Sequence, residues 1–374
     1  MPDLNKLRRL SPKILLAVVS LCLALAFAEC IDRIFLPEVS DTIIVPIKSI
    51  EEKYHHPPRF PPIPSLVPGA VRIVFIGDSF TFGLGVDDRS TKAFPPLVGR
   101  FFSEGLVEGV ARRAVQTFNL GTPSYSPSIY GVVLRDFAPT LKPDIVVLGL
   151  DDSDPQDDLL YSHLLKTDDQ GLPLSVYPGL PGVPDFLIPV AKRIKLVRHV
   201  SGVYENMVNR IKRKADITMR IENRYGHYRP GPGSEKQWAE AFERTLRLVD
   251  AFHSYCVEHE IKLAIINYPY APAVTTTQYR GTWPGQRFYF TRGVILDPTF
   301  HKAVREFASA RDIPYYDFTP YLRRLPDLEG IYKDDDVHYA ERGYELLARE
   351  LVGFLRPIVD EVTVAGRGPV SAAR

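Results

Sequence analysis

The sequence predicts an α/β fold, a three-layer α/β/α sandwich in which a mostly parallel five-stranded sheet lies between helices. Short apolar runs alternate with segments whose apolar residues recur at helical spacing. Several runs are continuously apolar, as expected for parallel strands that are buried on both faces. Small or polar residues follow three of the runs, at the strand ends where such sheets form their sites.

The first half of the pattern contains three strands and two helices. A β-branched run at 72–76 predicts the first strand, and apolar residues at helical spacing in 94–102 predict a helix. A second strand is predicted at 114–118 and a helical stripe at 130–137. Pro143 precedes the third strand, 144–148, which is apolar throughout.

The second half repeats this alternation. A long amphipathic helix is predicted over 238–256, where six apolar residues share one face: Trp238, Phe242, Leu246, Val249, Phe252 and Cys256. Strands at 263–268 and 313–318 and helices within 300–308 and 344–351 follow it. Repeated strand–helix order favours parallel pairing with helices on both faces of the sheet.

Composition excludes some classes of function. The net charge of the 374-residue chain is +1, so no global positive field exists to bind nucleic acid. The body holds one of the three cysteines, Cys256, which is predicted to be a small core residue. Neither a Cys/His metal spacing nor a phosphate-binding loop occurs, so no metal and no cofactor are predicted.

The N-terminal segment, 1–35, predicts export of the body. Lys6, Arg8, Arg9 and Lys13 precede an apolar run from Ile14 to Ala28, and positive charge before such a run indicates a cytoplasmic N-terminus. Two interpretations remain open. The run is either a signal peptide cleaved after Ala26-Phe27-Ala28 or, as we prefer, an uncleaved anchor with a membrane partner. Both place the body in the periplasm or outside the cell.

Four further segments complete the predicted domain organisation. A proline-rich spacer occupies 36–70, and the catalytic domain is expected at 71–357. Within it, 155–234 departs from the alternation and is predicted to be an insertion with one or two helices over the site. The C-terminal tail, 358–374, is predicted to lie outside the domain.

A candidate nucleophile follows the first strand. Gly77-Asp78-Ser79-Phe80 stands at its end, and Gly83 and Gly85 follow. This pattern predicts a tight turn that exposes Ser79 where the next element begins; an ordinary serine cap is the simpler alternative. A serine hydroxyl becomes a nucleophile when an imidazole can take its proton.

A candidate base lies near the end of the chain. Asp335-Asp336-Val337-His338 precedes the last helix, so His338 could accept the proton while Asp335 or Asp336 orients its ring. A solvated acidic turn is the alternative interpretation of this run. Between the two ends lie Asn119-Leu120-Gly121 and Gly149-Leu150-Asp151-Asp152, which both follow predicted strands.

These four blocks, in this order, resemble the SGNH/GDSL hydrolase family over roughly 71–357. The resemblance implies a flavodoxin-like fold and a triad of Ser79, Asp335 and His338, since the family pattern Asp-x-x-His selects Asp335. It also implies that backbone N–H groups of Ser79 and Gly121 stabilise an oxyanion.

The third block departs from the family pattern. The family has Gly-x-Asn-Asp with the asparagine amide as an oxyanion donor, whereas this chain has Asp151 at that position. An ionised carboxylate cannot donate a hydrogen bond. Asp151 could stay protonated, the Ser153 hydroxyl could donate instead, or the oxyanion site could be impaired; we prefer Ser153.

The resemblance implies an extracytoplasmic serine esterase that removes short acyl groups, acetyl above all, from an envelope or secreted glycan. A polysaccharide O-acyltransferase is the first alternative. It would form the same acyl-serine, which a sugar hydroxyl attacks in place of water. A catalytically weak binding or assembly protein for polysaccharide export is the second, favoured by the missing asparagine. Aromatic residues after the fourth strand, among them Tyr268, Tyr270 and Trp283, are expected to line the cleft or to pack under their own loop.

Overall fold

A computed structural model of the chain describes residues 53–54, 58–60, 63–176, 235–275, 282–283, 286–287, 295, 297–333 and 337–365. In chain order the elements are β1 (Val71–Gly77), α1 (Ser79–Phe82), α2 (Arg89–Lys92), α3 (Phe94–Glu104), β2 (Val115–Gly121), α4 (Pro127–Leu141), β3 (Ile145–Leu150), α5 (Asp154–Tyr161), β4 (Leu165–Thr167), β5 (Pro173–Val176), α6 (Glu235–Glu258), β6 (Lys262–Asn267), β7 (Thr282–Trp283), β8 (Gln286–Arg287), α7 (Thr299–Ser309), β9 (Tyr315–Asp317), α8 (Thr319–Arg323) and α9 (Glu341–Ala365).

The central sheet has five strands in the order β2-β1-β3-β6-β9, and all of its pairs are parallel. The five strands and five longer helices are those that the apolar pattern predicts, so the predicted fold class is confirmed. β9 is shorter than predicted because Ile313 still belongs to the turn that ends α7, where its N–H donates to the Ala308 carbonyl.

Two hydrophobic cores cover the two faces of the sheet and make three layers. Val74 and Ile76 of β1 point into the core formed with α4, α6 and α7. Ile73 and Phe75 of the same strand point into the core formed with α3 and α9. This alternation follows from the two-residue period of a strand. The strands are apolar throughout because both faces are buried.

Cys256 lies in the first core as a buried free thiol, in agreement with its predicted role. Burial raises its pKa, so the thiol stays protonated and unreactive.

The C-terminal domain boundary predicted at 357 is wrong. Helix α9 continues to Ala365 with Pro357 inside it. Ile358 is 6% exposed and Val359 is fully buried, so the helix continues past the proline because both residues pack in the core. Residues 366–374 lie outside the described residues.

The first part of the insertion predicted for 155–234 belongs to the domain. Its first part forms α5 and the β4–β5 hairpin, and Leu172 and Val176 lie in the first core. On α5, the buried Asp158 carboxylate accepts hydrogen bonds from the Ser126 and Thr245 hydroxyls. Residues 155–176 therefore belong to the domain. The basic segment from 177 to 234 lies outside the described residues.

The described residues of the spacer contact the domain at several points, among them Arg59, whose N–H donates to Thr122 Oγ1, and Phe60, whose ring packs on Phe137. Tyr54 is buried, stacks on Tyr125 at 6.0 Å between ring centroids, and donates to Asp136 at 3.0 Å. Residues 58–60 and 63–70 have neither helix nor strand, as the prolines predict.

The predicted membrane segment, Ile14 to Ala28, lies outside the described residues. Within the part of the chain that the structure describes, no helix has the length and apolar character that a membrane crossing needs.

Candidate active site

Ser79 stands directly above the end of β1, at the start of the short helix α1. Asp78 caps this helix, because its Oδ1 accepts from the Phe80 N–H at 2.9 Å. Gly83 ends the helix in a left-handed conformation with φ of 85°, which favours glycine. The turn therefore leaves the Ser79 side chain partly exposed at the carboxyl edge of the sheet.

The structure brings Ser79 and His338 together across most of the sequence. His338 Nε2 lies 2.7 Å from Ser79 Oγ, within hydrogen-bond distance. The imidazole is 4% exposed, and the Phe80 ring lies 5.0 Å from it between centroids. The packed ring restricts the imidazole to the side of Ser79.

The segment that carries His338 is held by backbone pairing. The Lys333 N–H donates to the His338 carbonyl at 3.0 Å, and the Ala340 N–H donates to the Ile331 carbonyl at 2.9 Å. Asp335 and its alternative Asp336 lie outside the described residues. The predicted role of Asp335 therefore stays a prediction.

The predicted oxyanion donors have different surroundings. Gly121 pairs with Gly77 across β1 and β2, so it lies beside the turn of Ser79. Its N–H, however, donates to Asn119 Oδ1 at 2.9 Å. In this structure the Gly121 N–H is therefore bonded to the Asn119 side chain, whereas the resemblance assigns this N–H to an oxyanion. Ser79 is the first residue of α1, where a backbone N–H has no intrahelical acceptor.

Ser153 does not serve as a free donor in this structure. Both its hydroxyl and its N–H donate to Asp151 Oδ1, each at 2.8 Å. The Tyr270 hydroxyl donates to Asp151 Oδ2 at 2.7 Å. The preference for Ser153 over Asp151 is therefore wrong for this conformation, because the turn directs the Ser153 hydroxyl to the neighbouring carboxylate.

A group of buried carboxyls lies beneath Ser79. Asp78, Asp151 and Asp154 are 4%, 1% and 1% exposed. Asp154 accepts from the Asp151 N–H at 2.9 Å and from the Tyr130 hydroxyl at 3.1 Å. Burial raises the pKa of Asp154 well above its usual value, and the charges of Asp151, Asp78 and Asp158 raise it further.

Tyr268 and Tyr270, two of the aromatic residues predicted to line the cleft or to pack under their own loop, belong to this site. Tyr270 binds Asp151, and Tyr268 shares a short hydrogen bond of 2.5 Å with Thr81 Oγ1. The Phe80 ring stacks on Tyr268 at 5.2 Å. Both tyrosines are buried, so they pack beneath the site and do not form a cleft wall. The Trp283 side chain lies outside the described residues.

A second histidine, which the sequence analysis missed, holds the loop after β3. His301 of α7 is fully buried, and its Nε2 and Nδ1 lie 3.4 Å from Asp152 and 3.4 Å from Asp317, respectively. Burial lowers the pKa of His301, but the two carboxylates outweigh it, and the net shift is upward. Arg305 also contacts Asp317, at 2.8 Å.

Among the described residues, no group of three or more His, Cys, Asp and Glu side chains has the arrangement of a metal site.

Comparison with known proteins gives structures but no sequence relatives. No protein-family model and no curated protein matches the chain. A family 3 carbohydrate esterase of Clostridium thermocellum is 13% identical with a TM-score of 0.40, over 79% of this chain and 99% of that one. A lipase/acylhydrolase from Enterococcus faecalis is 16% identical with a TM-score of 0.36, over 77% and 96%.

A GDSL-like lipase from Bacteroides thetaiotaomicron is 12% identical with a TM-score of 0.35, over 80% of this chain and 92% of that one. These structures are described as an esterase, a lipase/acylhydrolase and a GDSL-like lipase. The blocks around Ser79 and His338 resemble the same family.

Proposed function

We propose that this chain is an SGNH/GDSL-type serine esterase that acts through an acyl-serine at Ser79. The observation that carries the proposal is the 2.7 Å contact between Ser79 Oγ and His338 Nε2 at the carboxyl edge of a parallel sheet. A hydroxyl in contact with an imidazole is the arrangement that activates serine for acyl transfer.

The proposed reaction has two stages. Ser79 Oγ attacks the ester carbonyl carbon while His338 Nε2 takes the hydroxyl proton, which gives a tetrahedral oxyanion. The intermediate collapses, the C–O bond to the alcohol breaks, and His338 gives its proton to the leaving oxygen. Water then attacks the acyl-serine carbonyl carbon while His338 takes a proton from it. The bond between this carbon and Ser79 Oγ breaks, His338 returns the proton to Oγ, and the carboxylic acid leaves.

The substrate we propose is a short acyl ester, acetyl above all, on a bulky polar carrier such as an envelope or secreted glycan. Ser79 is partly exposed, and the rings of Phe80, Tyr268 and Tyr339 pack together beside it. This packing supports a small acyl group. The basic residues before the apolar N-terminal run support a body outside the cytoplasm, attached to the membrane if the run is retained.

A fluorophosphonate probe tests the nucleophile directly. We expect one label per chain on the peptide that contains Ser79, and hydrolysis of p-nitrophenyl acetate lost in proportion to labelling. Ser103, which is exposed but contacts no histidine in the described residues, is the matched control. A chain that neither reacts with the probe nor hydrolyses esters, or that is labelled elsewhere, would contradict the proposal.

A series of esters tests the acyl preference. We expect kcat/KM to fall from p-nitrophenyl acetate to butyrate and octanoate. Acetate released from an acetylated polysaccharide would support a glycan substrate. Transfer of the acetyl group to an added sugar hydroxyl, in place of release, would identify the acyltransferase alternative.

Gly85→Ala tests how the serine turn and the histidine segment fit together. Gly85 has φ of 119°, and a Cβ there would lie 2.4 Å from the Tyr339 carbonyl oxygen, next to His338. Since the clash displaces backbone beside the base, we expect kcat to fall about 10²-fold. We expect the free energy of unfolding to fall by about 1–3 kcal/mol.

Gly109→Ala is the matched control. Gly109 has φ of 73°, but a Cβ there would meet nothing within 4 Å. This variant should lose stability through backbone strain and keep the wild-type kcat. Equal kcat in both variants would show that the contact between Gly85 and Tyr339 does not position His338.

A further inference from the structure

The Ser79 hydroxyl faces two acceptors and has only one proton to donate. Asp78 Oδ2 lies 3.0 Å from Ser79 Oγ, and His338 Nε2 lies 2.7 Å from it. An ionised carboxylate forms roughly twice as strong a hydrogen bond as a neutral acceptor. The charge on Asp78 therefore influences whether the hydroxyl proton points to the carboxyl or to the imidazole.

Asp78 is placed to remain neutral. Its carboxyl is 4% exposed and hydrogen-bonds to the Asp151 carboxyl, which requires a proton on one of the two groups. Burial raises the pKa of Asp78 well above its usual value, and the charge and hydrogen bond of Asp151 raise it further.

Asp151 has the better surroundings for a negative charge. It accepts the N–H and hydroxyl of Ser153 at 2.8 Å each and the hydroxyl of Tyr270 at 2.7 Å. Three donors stabilise a carboxylate even when it is buried. The proton of the pair therefore resides on Asp78, which donates it to Asp151.

Other titratable groups surround the pair. Asp154 of α5 accepts from the Asp151 N–H at 2.9 Å, and burial raises its pKa well above its usual value as well. His301 is already engaged between Asp152 and Asp317. The groups that face the two carboxyls from neighbouring elements are Tyr130, Asp152, Asp154, Tyr268, Tyr270, His301 and His338.

We propose that Asp78 is a positioning residue whose proton, donated to Asp151, keeps the Ser79 hydroxyl available to His338. The inference rests on the proposed esterase function. While Asp78 is protonated, it is a weak acceptor, and Ser79 donates to His338. When Asp78 loses this proton to solvent, two adjacent carboxylates remain, and the ionised Asp78 draws the hydroxyl away from the base.

The proposed role of Asp78 predicts that kcat/KM declines at alkaline pH. Activity falls at higher pH as Asp78 ionises and draws the hydroxyl proton away from His338. On the alkaline side the wild-type rate should fall about tenfold per pH unit, as expected for the loss of one proton.

Asp78→Asn tests the proposal because an asparagine amide copies the neutral carboxyl. It keeps an oxygen for the Phe80 N–H and an N–H for Asp151, but it has no proton to lose. We expect this variant to hydrolyse p-nitrophenyl acetate within a few-fold of the wild-type maximum and to lack the alkaline decline. Asp151→Asn should shift the decline to lower pH, because removing the negative charge of Asp151 lowers the pKa of Asp78.

Asp154→Asn is the matched control, since Asp154 is a buried acid of the same group that does not contact Ser79 in the structure. It should keep the alkaline decline. A decline that persists in folded Asp78→Asn, that stays at the wild-type pH in Asp151→Asn, or that only Asp154→Asn removes would overturn the proposal.

Infrared difference spectra test the proton without any assay. At neutral pH, wild type minus Asp78→Asn should show the C=O band of a protonated carboxylic acid, and a carboxylate band there would overturn the proposal. If the chain hydrolyses no ester, the proposed function fails but this measurement still reports on Asp78. If the chain hydrolyses esters but Asp78→Asn keeps the alkaline decline unchanged, only the proposed role of Asp78 fails.

Discussion

Replacing His338 with alanine is expected to lower kcat for p-nitrophenyl acetate by about 10⁴–10⁶-fold, and Ser79→Ala by a similar factor. The reason is that His338 Nε2, 2.7 Å from Ser79 Oγ, is the base that takes the hydroxyl proton. Without it the hydroxyl is a poor nucleophile. KM should change little, because neither side chain is needed to bind the ester.

The double variant Ser79→Ala/His338→Ala distinguishes a catalytic pair from two independent residues. Groups that act as a unit are not additive, so the double variant should be no slower than either single variant. His163→Ala, at an exposed histidine, should retain the wild-type kcat. Additive losses, or a His338→Ala variant of near wild-type activity, would contradict the proposed mechanism.

The sheet could be predicted from the sequence because each strand is a local apolar run with its own boundary signal. The approach of Ser79 and His338 could also be anticipated, since a serine after a strand and a histidine before the last helix meet at one sheet edge. The length of α9 is not visible in the sequence, because a proline such as Pro357 usually disfavours a helix interior, whereas the burial of Ile358 and Val359 outweighs it here.

The surroundings of Asp151 could not be predicted in the same way. Asp78 and Asp151 meet because β1 lies next to β3, and strand order is not visible in a local pattern. The hydrogen bond from Gly121 to Asn119 has a local signal that was missed, namely an asparagine two residues before a backbone N–H. The hydrogen bond from the Ser153 N–H to Asp151 has the same local signal, because Asp151 lies two residues before Ser153.

His301 shows a third limit. It occupies the buried face of α7 beside Phe300 and Val304, where a single histidine in an apolar stripe gives no sign of a partner. Its partners Asp152 and Asp317 follow β3 and end β9, on two segments far apart in sequence. Only the packed fold places the three side chains together.

Replacing His301 with glutamine is expected to lower the free energy of unfolding by about 3–5 kcal/mol, the usual cost of removing one partner from a buried ion pair. The imidazolium lies between Asp152 and Asp317 in the interior, and the neutral amide leaves both carboxylates without its charge. Urea unfolding of the two proteins measures the loss. His259→Gln, at an exposed histidine, should change stability by less than about 0.5 kcal/mol.

The loss should depend on pH with a definite sign. Since the folded pKa of His301 is raised, its stabilisation is complete below about pH 6.5, the usual histidine value, and disappears as pH rises through the folded value. The difference between wild type and His301→Gln should therefore be largest in mild acid and shrink toward alkaline pH.

The stabilisation contributed by Asp317 depends on pH in the opposite direction. Burial raises the pKa of Asp317, but the hydrogen bond and charge of His301 outweigh it and the net shift is downward, so its contribution persists above about pH 4 and disappears in stronger acid.

A double variant separates the charge of His301 from its packing. Asp152→Asn removes one of the carboxylates that the imidazolium neutralises, so Asp152→Asn/His301→Gln should lose less stability than the sum of the single losses. If the losses simply add, or if the His301→Gln difference is constant with pH, then His301 stabilises the loop after β3 by packing alone. In that case the buried carboxylates would obtain their compensation from other groups.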